Sequence, residues 1–144
     1  MARDDAYSEA EEKIEDAQYW NATTLQLSGI GITELPESIS NLGELQSLDL
    51  SHNRIEFLPA RIDHLSKLHA LDLSYNQLTV LPSGVEKLTQ LQWLNLSHNY
   101  LNSLPMQIRE FKHLVSLNLG NNSLNLLPEW LVCFVSEPVR QSRG

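Results

Sequence analysis

The chain has one cysteine, Cys133, so no disulfide framework can form and a reducing compartment is favoured. Basic residues are scarce. There are 10 Lys and Arg against 18 Asp and Glu, a formal net charge of -8. A field of that sign repels phosphate, which argues against nucleic acid as a partner. No run of about 18 apolar residues occurs, so no membrane span is expected. The N-terminus lacks the apolar stretch of a secretory signal, and cytoplasm is the expected location. The one glycine-containing stretch that invites a phosphate-loop reading, Ser28-Gly29-Ile30-Gly31-Ile32, has neither the lysine nor the following helix such a loop needs. No cofactor is expected.

Much of the acid sits at the start. Residues 1–20 hold Asp4, Asp5, Glu9, Glu11, Glu12, Glu15 and Asp16 against Arg3 and Lys13. Tyr7, Ala10, Ile14 and Ala17 recur at spacings of three and four, which predicts an amphipathic helix over 3–20. Ser8 or Asp5 is placed to cap it, and Tyr19 and Trp20 fall at its junction with the rest of the chain. Its apolar face suits it to close one end of a core. A separate docking helix is the alternative.

Everything after it repeats. A shift of 23 residues aligns Leu45, Leu68, Leu91 and Leu114, then Leu48, Leu71, Leu94 and Leu117, then Leu50, Leu73, Leu96 and Leu119. A polar column comes next, Asn53, Asn76, Asn99 and Asn122. Ile55, Leu78, Leu101 and Leu124 come after it, and then Leu58, Leu81, Leu104 and Leu127 with Pro59, Pro82, Pro105 and Pro128. Ile62, Val85, Ile108 and Leu131, with Leu65, Leu88, Phe111 and Phe134, close the unit. A degenerate leading copy keeps Leu25, Leu27, Ile32, Leu35, Pro36, Ile39 and Leu42 but has Ala22 and Ile30 where the others have leucine and asparagine. About five turns fill residues 22–136, and residues 137–144 are expected to be a flexible tail.

The physics of a turn is readable. Leu48-Asp49-Leu50 alternates as a strand with one buried face does, and successive strands should stack in parallel about 4.8 Å apart. An asparagine amide both donates and accepts, so its column should form a buried ladder that satisfies the backbone of the turn. Proline at each Leu-Pro step disfavours helix for the residue before it. The return stretch has a three-residue apolar period that fits short helical or 3₁₀ turns.

This repeat resembles the leucine-rich-repeat class of 23 residues with an LPxxI step, similar to intracellular Ras-suppressor and scaffold proteins. LQSLDLSHNRIEFLPARIDHLSKL at 45–68 and LQWLNLSHNYLNSLPMQIREFKHL at 91–114 carry the likeness. The block at 2–39 resembles the start of repeat regions in bacterial Roco-type proteins, which continue into a Ras-like GTPase with a C-terminal dimerisation segment. The resemblance implies a regulatory or interaction module and carries no GTP site. The expected fold is an α/β solenoid, a horseshoe segment with a parallel concave β-sheet and an N-terminal capping helix.

On the concave face four columns flank the buried leucines. They begin at Thr24, Gln26, Ser28 and Gly29 and recur every 23 residues. Trp93 stands out among small and amide residues as a candidate anchor. With Asp49, His52, Asp72, Tyr75, Asn95 and His98 it makes the expected partner-binding patch, suited to a basic or amphipathic protein or peptide. His52 and His98 are two rungs apart, roughly 10 Å, too far to share a zinc ion. Asp49 and Asp72, about 5 Å apart, have the spacing of a retaining carboxylate pair but no cleft to desolvate them. The serine column has no oriented histidine beside it. Hydrolysis is therefore the least favoured function and no enzyme is expected. The other alternative is a structural repeat fragment. No polar-faced capping helix is visible after Leu127, so either Trp130, Phe134 and Val135 fold over that end, or Leu114, Leu117, Leu119, Leu124 and Leu127 present one side to solvent and invite stacking or self-association.

Overall fold

The computed structural model describes residues 5–81, 84–102 and 111–124. It begins with α1, Asp5–Tyr19, whose Ala10, Ile14 and Ala17 are buried. Ser8 lies inside this helix and so is not its cap. The helix ends in a Schellman motif. Asn21 takes a left-handed φ of 50°, Asn21 N–H donates to Gln18 at 3.2 Å, and Ala22 N–H reaches back to Ala17 at 2.9 Å. Asparagine tolerates that conformation better than most residues do.

Five three-residue strands come next: β1 Thr24–Gln26, β2 Ser47–Asp49, β3 Ala70–Asp72, β4 Trp93–Asn95 and β5 Ser116–Asn118. They form one parallel sheet in sequence order. Every register step is one repeat, as in Leu48 on Leu71 and Leu71 on Leu94. The central leucine of each strand points into the core. The return stretches are 3₁₀ turns at Glu37–Asn41, Ala60–His64 and Val85–Lys87, which bury Ile39, Ile62 and Val85. The first two are entered from Pro36 and Pro59. The third is entered from Gly84 at φ 94°, a left-handed value open to glycine.

The asparagines tie one rung to the rung before it. Asn76 Oδ1 accepts Ile55 N–H at 2.9 Å, and its Nδ2 donates to the carbonyls of Leu50, Leu73 and Ser74. Asn99 and Asn122 repeat that set one and two rungs on. Asn53 accepts from three amides of the first turn, Ile30, Gly31 and Ile32. The first turn has Ile30 in place of asparagine, and among the described residues no strand precedes it for such a residue to reach.

Leu114, Leu117, Leu119 and Leu124 are buried, which goes against the open-ended alternative for them. Leu127 and the later residues named for that end, like the tail at 137–144, lie outside the described residues. The serine column is not open on the concave face: Ser51, Ser74 and Ser97 are buried. Among the described residues, no helix is long and apolar enough to cross a membrane.

Candidate functional site

The buried serines explain the residues two places before them. Ser51 donates both its backbone N–H and its hydroxyl to Asp49 Oδ1, at 2.9 and 2.7 Å. Ser74 does the same to Asp72, and Ser97 to Asn95. Each pair closes the strand into the turn. Only one oxygen is used in each case. Asn95 makes the contacts with a neutral amide, so the turn does not require a charge at this position. Asp49 and Asp72 carry one nonetheless, on neighbouring strands, with Gln26 and Asn95 as their uncharged neighbours to either side.

Trp93 lies on the same face. It pairs with Ala70 on one side and Ser116 on the other, so no bulky neighbour covers its ring. The side chain is 39% exposed. It borders a depression of about 310 Å³ whose walls include Thr24, Gln26, Ser47, Asp49, Ala70 and Asp72. Among the described residues, no salt bridge engages either aspartate.

His52, Tyr75 and His98 are elsewhere. Each strand ends two residues before the serine or glycine position, and the residue after that position turns the chain with a left-handed φ: 59° at His52, 57° at Tyr75 and at His98, 56° at Asn121. Gly29 holds the same place in the first turn. The residues of this column from Gly29 to His98 donate their N–H to the carbonyl of the serine or glycine in the following rung, as Tyr75 does to Ser97 at 3.0 Å. That fixes the spacing, and the side chains stack. The His52 and Tyr75 rings are 4.3 Å apart and 12° from parallel, and those of Tyr75 and His98 are 4.0 Å apart and 8° from parallel. The Asn121 amide nitrogen stands 3.1 Å from His98 Nε2, where it donates when the imidazole carries its proton on Nδ1.

The expected patch thus divides in two. Asp49, Asp72 and Trp93 share the concave depression, with Asn95 beside Asp72. Tyr75 and His98 line a second depression of about 480 Å³ on the ridge, with Tyr100, Asn121 and Ser123. His52 extends the ridge by one rung. Sequence reasoning passed over Tyr100, and its signal was periodic: it comes just after the ladder asparagine, as Tyr75 and His98 precede theirs. Among the described residues, no group of three or more His, Cys, Asp or Glu could hold a metal ion.

Residues 23–98 match a family model described as a leucine-rich repeat region, and 90–111 and 113–134 match the single Leucine Rich Repeat model. The chain belongs to the leucine-rich-repeat family. Leucine-rich-repeat domains generally mediate protein–protein interaction and are typically not enzymes. No curated protein matches the sequence. Among solved structures, the leucine-rich repeat domain of the type III effector XopL aligns with a TM-score of 0.67 at 21% identity. The match covers 85% of this chain and 52% of that one, so this leucine-rich-repeat chain spans about half the length of its structural neighbour. At that identity the likeness speaks to fold alone.

Proposed function

We propose that the concave face holds a protein or peptide partner of basic or amphipathic character, with Trp93 as its anchor. The observation that carries this reading is the pair of aspartates. Asn95 forms the same turn without a charge, so the carboxylates of Asp49 and Asp72 are surplus to the fold. Both residues line the depression that Trp93 walls. A lysine or arginine side chain laid there would find two unpaired acids and an exposed indole face, which attracts cations. Ala70 and Ser47 leave room for its stem. In the wider setting, the likeness to intracellular LPxxI repeats and to the start of Roco-type proteins fits a scaffolding or regulatory part of a cytoplasmic signalling protein.

The test uses peptides selected from a random display library on the whole chain. Binders should be rich in lysine or arginine. They should lose at least about tenfold in affinity on Trp93→Ala, about the size of a modest hot spot. Asp49→Asn with Asp72→Asn should weaken them and leave the melting temperature in place, because the amide keeps the turn. Equal binding to all three proteins would sink the proposal.

A further inference from the structure

The ridge depression differs from the concave one in a way that points to a second ligand. Among the described residues, no carboxylate, ammonium or guanidinium lines it, although the chain is strongly acidic. Its floor is made of ladder asparagines whose amides already bond to backbone. Its walls stand on either side of that column. On one side run Tyr75, His98 and Asn121. The two rings face each other, so this side offers ring edges with their polar atoms, the Tyr75 hydroxyl and the His98 Nδ1, and beside them the Asn121 amide, whose nitrogen is held by His98 Nε2. On the other side stand Tyr100 and Ser123. Tyr100 is 59% exposed and stacks on no ring among the described residues, so its face is open.

We infer that this depression is a binding site for a short neutral oligosaccharide, distinct from the concave face. A pyranose has one flat face of C–H groups and a rim of hydroxyls. The negative face of an aromatic ring attracts such polarised C–H groups, as it does the positive edge of another ring. Neutral hydroxyl and amide groups both donate and accept, as sugar hydroxyls do. The open Tyr100 ring opposite a row of polar edges supplies both requirements. Its volume of about 480 Å³ falls within the usual range of small-molecule sites. An anionic ligand would find no cation here among the described residues, and a basic peptide is better served by Asp49 and Asp72.

The left-handed turn beside the ladder makes the test clean. Asn121 is at a φ of 56°, where glycine sits without strain, so Asn121→Gly removes the side chain and spares the turn. Tyr100→Ala removes an exposed ring. Saturation-transfer NMR and calorimetry on the full chain would use maltotriose, cellotriose and tri-N-acetylchitotriose, with trigalacturonate as the charged arm. At least one neutral trisaccharide should bind saturably. Its affinity should fall at least about tenfold in Tyr100→Ala and in Asn121→Gly, and hold in Trp93→Ala. The inference would be overturned by no saturable binding by any neutral trisaccharide, by binding of trigalacturonate alone, or by binding indifferent to Tyr100→Ala. Loss on Trp93→Ala would do so too, by moving the site to the concave face. Failure of the sugars leaves the peptide result untouched, so the two readings fall separately.

Discussion

Two columns run side by side along the turn edge of the sheet. Asn53, Asn76, Asn99 and Asn122 are buried and bond to backbone with both ends of the amide. His52, Tyr75, His98 and Asn121 come one residue earlier, reach solvent, and pack their side chains mainly on one another. Both repeat every 23 residues, yet one column is uniform and the other varied. A position fixed by backbone geometry on all sides admits one side chain. A position that faces solvent admits whatever the left-handed turn tolerates. Period alone therefore does not separate what holds the fold from what is free to bind. Burial and the number of backbone partners do.

Three consecutive residues of one rung turn this into measurements, and the largest effect belongs to Asn76. Asn76→Ala strands the Ile55 N–H in a dry interior and removes three further bonds, although the Leu50 and Leu73 carbonyls keep the amides of Asn53 and Asn99. One stranded buried donor costs roughly 1–3 kcal/mol and each lost bond to a still-satisfied carbonyl less, so a loss of about 3 kcal/mol is expected. Urea unfolding should show the midpoint fall. Because stacked repeats share stability with their neighbours, a lower slope would reveal the array splitting at this rung. A loss below about 1 kcal/mol would mean that the ladder is ornamental.

How far this contrast could be read in advance depends on the column. The asparagine ladder was legible because an amide recurring at one period among leucines has little to do there except bond backbone. The sheet, its order and the return turns came from the same alignment. The serine column was misread as open surface. Its signal was present in the pairs Asp49 and Ser51, Asp72 and Ser74, and Asn95 and Ser97, an acceptor two residues before a hydroxyl, which is a local turn pattern. Alternation stops at such a turn, so the residues beyond it cannot be placed by counting along the strand. That is why Trp93 and Tyr75 were set in one patch while the fold puts them on two surfaces. The left-handed column also announced itself, with Gly29 at its head and Asn121 at its end, the residue types that take positive φ most readily.

Ser74 gives the middle effect. Its hydroxyl is buried and donates to Asp72 Oδ1 at 2.6 Å. Ser74→Ala removes that bond but keeps the backbone one beside it. The last rung shows the outcome, since Gly120 has no hydroxyl and its N–H still meets Asn118 Oδ1 at 3.0 Å. A loss of about 1 kcal/mol is expected, the ordinary worth of one hydrogen bond. Thermal unfolding of Ser74→Ala beside Asn76→Ala would rank the two.

Tyr75→Gly should be the smallest change, although it deletes the largest side chain of the three. Two effects oppose each other. Tyr75 is held at a φ of 57°, which costs a residue with a Cβ about 1 kcal/mol or more, and glycine removes that strain. Against this, glycine adds freedom to the unfolded chain, worth roughly 0.5–1 kcal/mol. The two ring contacts also disappear, and at 45% exposure they contribute less than buried pairs would. The backbone bond from residue 75 to Ser97 survives in either case. The net shift should fall within about 1 kcal/mol of zero, read from the same urea series as Asn76→Ala. Tyr75→Val sharpens the test, because a β-branched residue keeps the strain without the stacking and should be the less stable of the two. If Tyr75→Gly instead matched the loss of Asn76→Ala, the aromatic stack would be part of the frame, and the ridge would lose its standing as a surface free to bind.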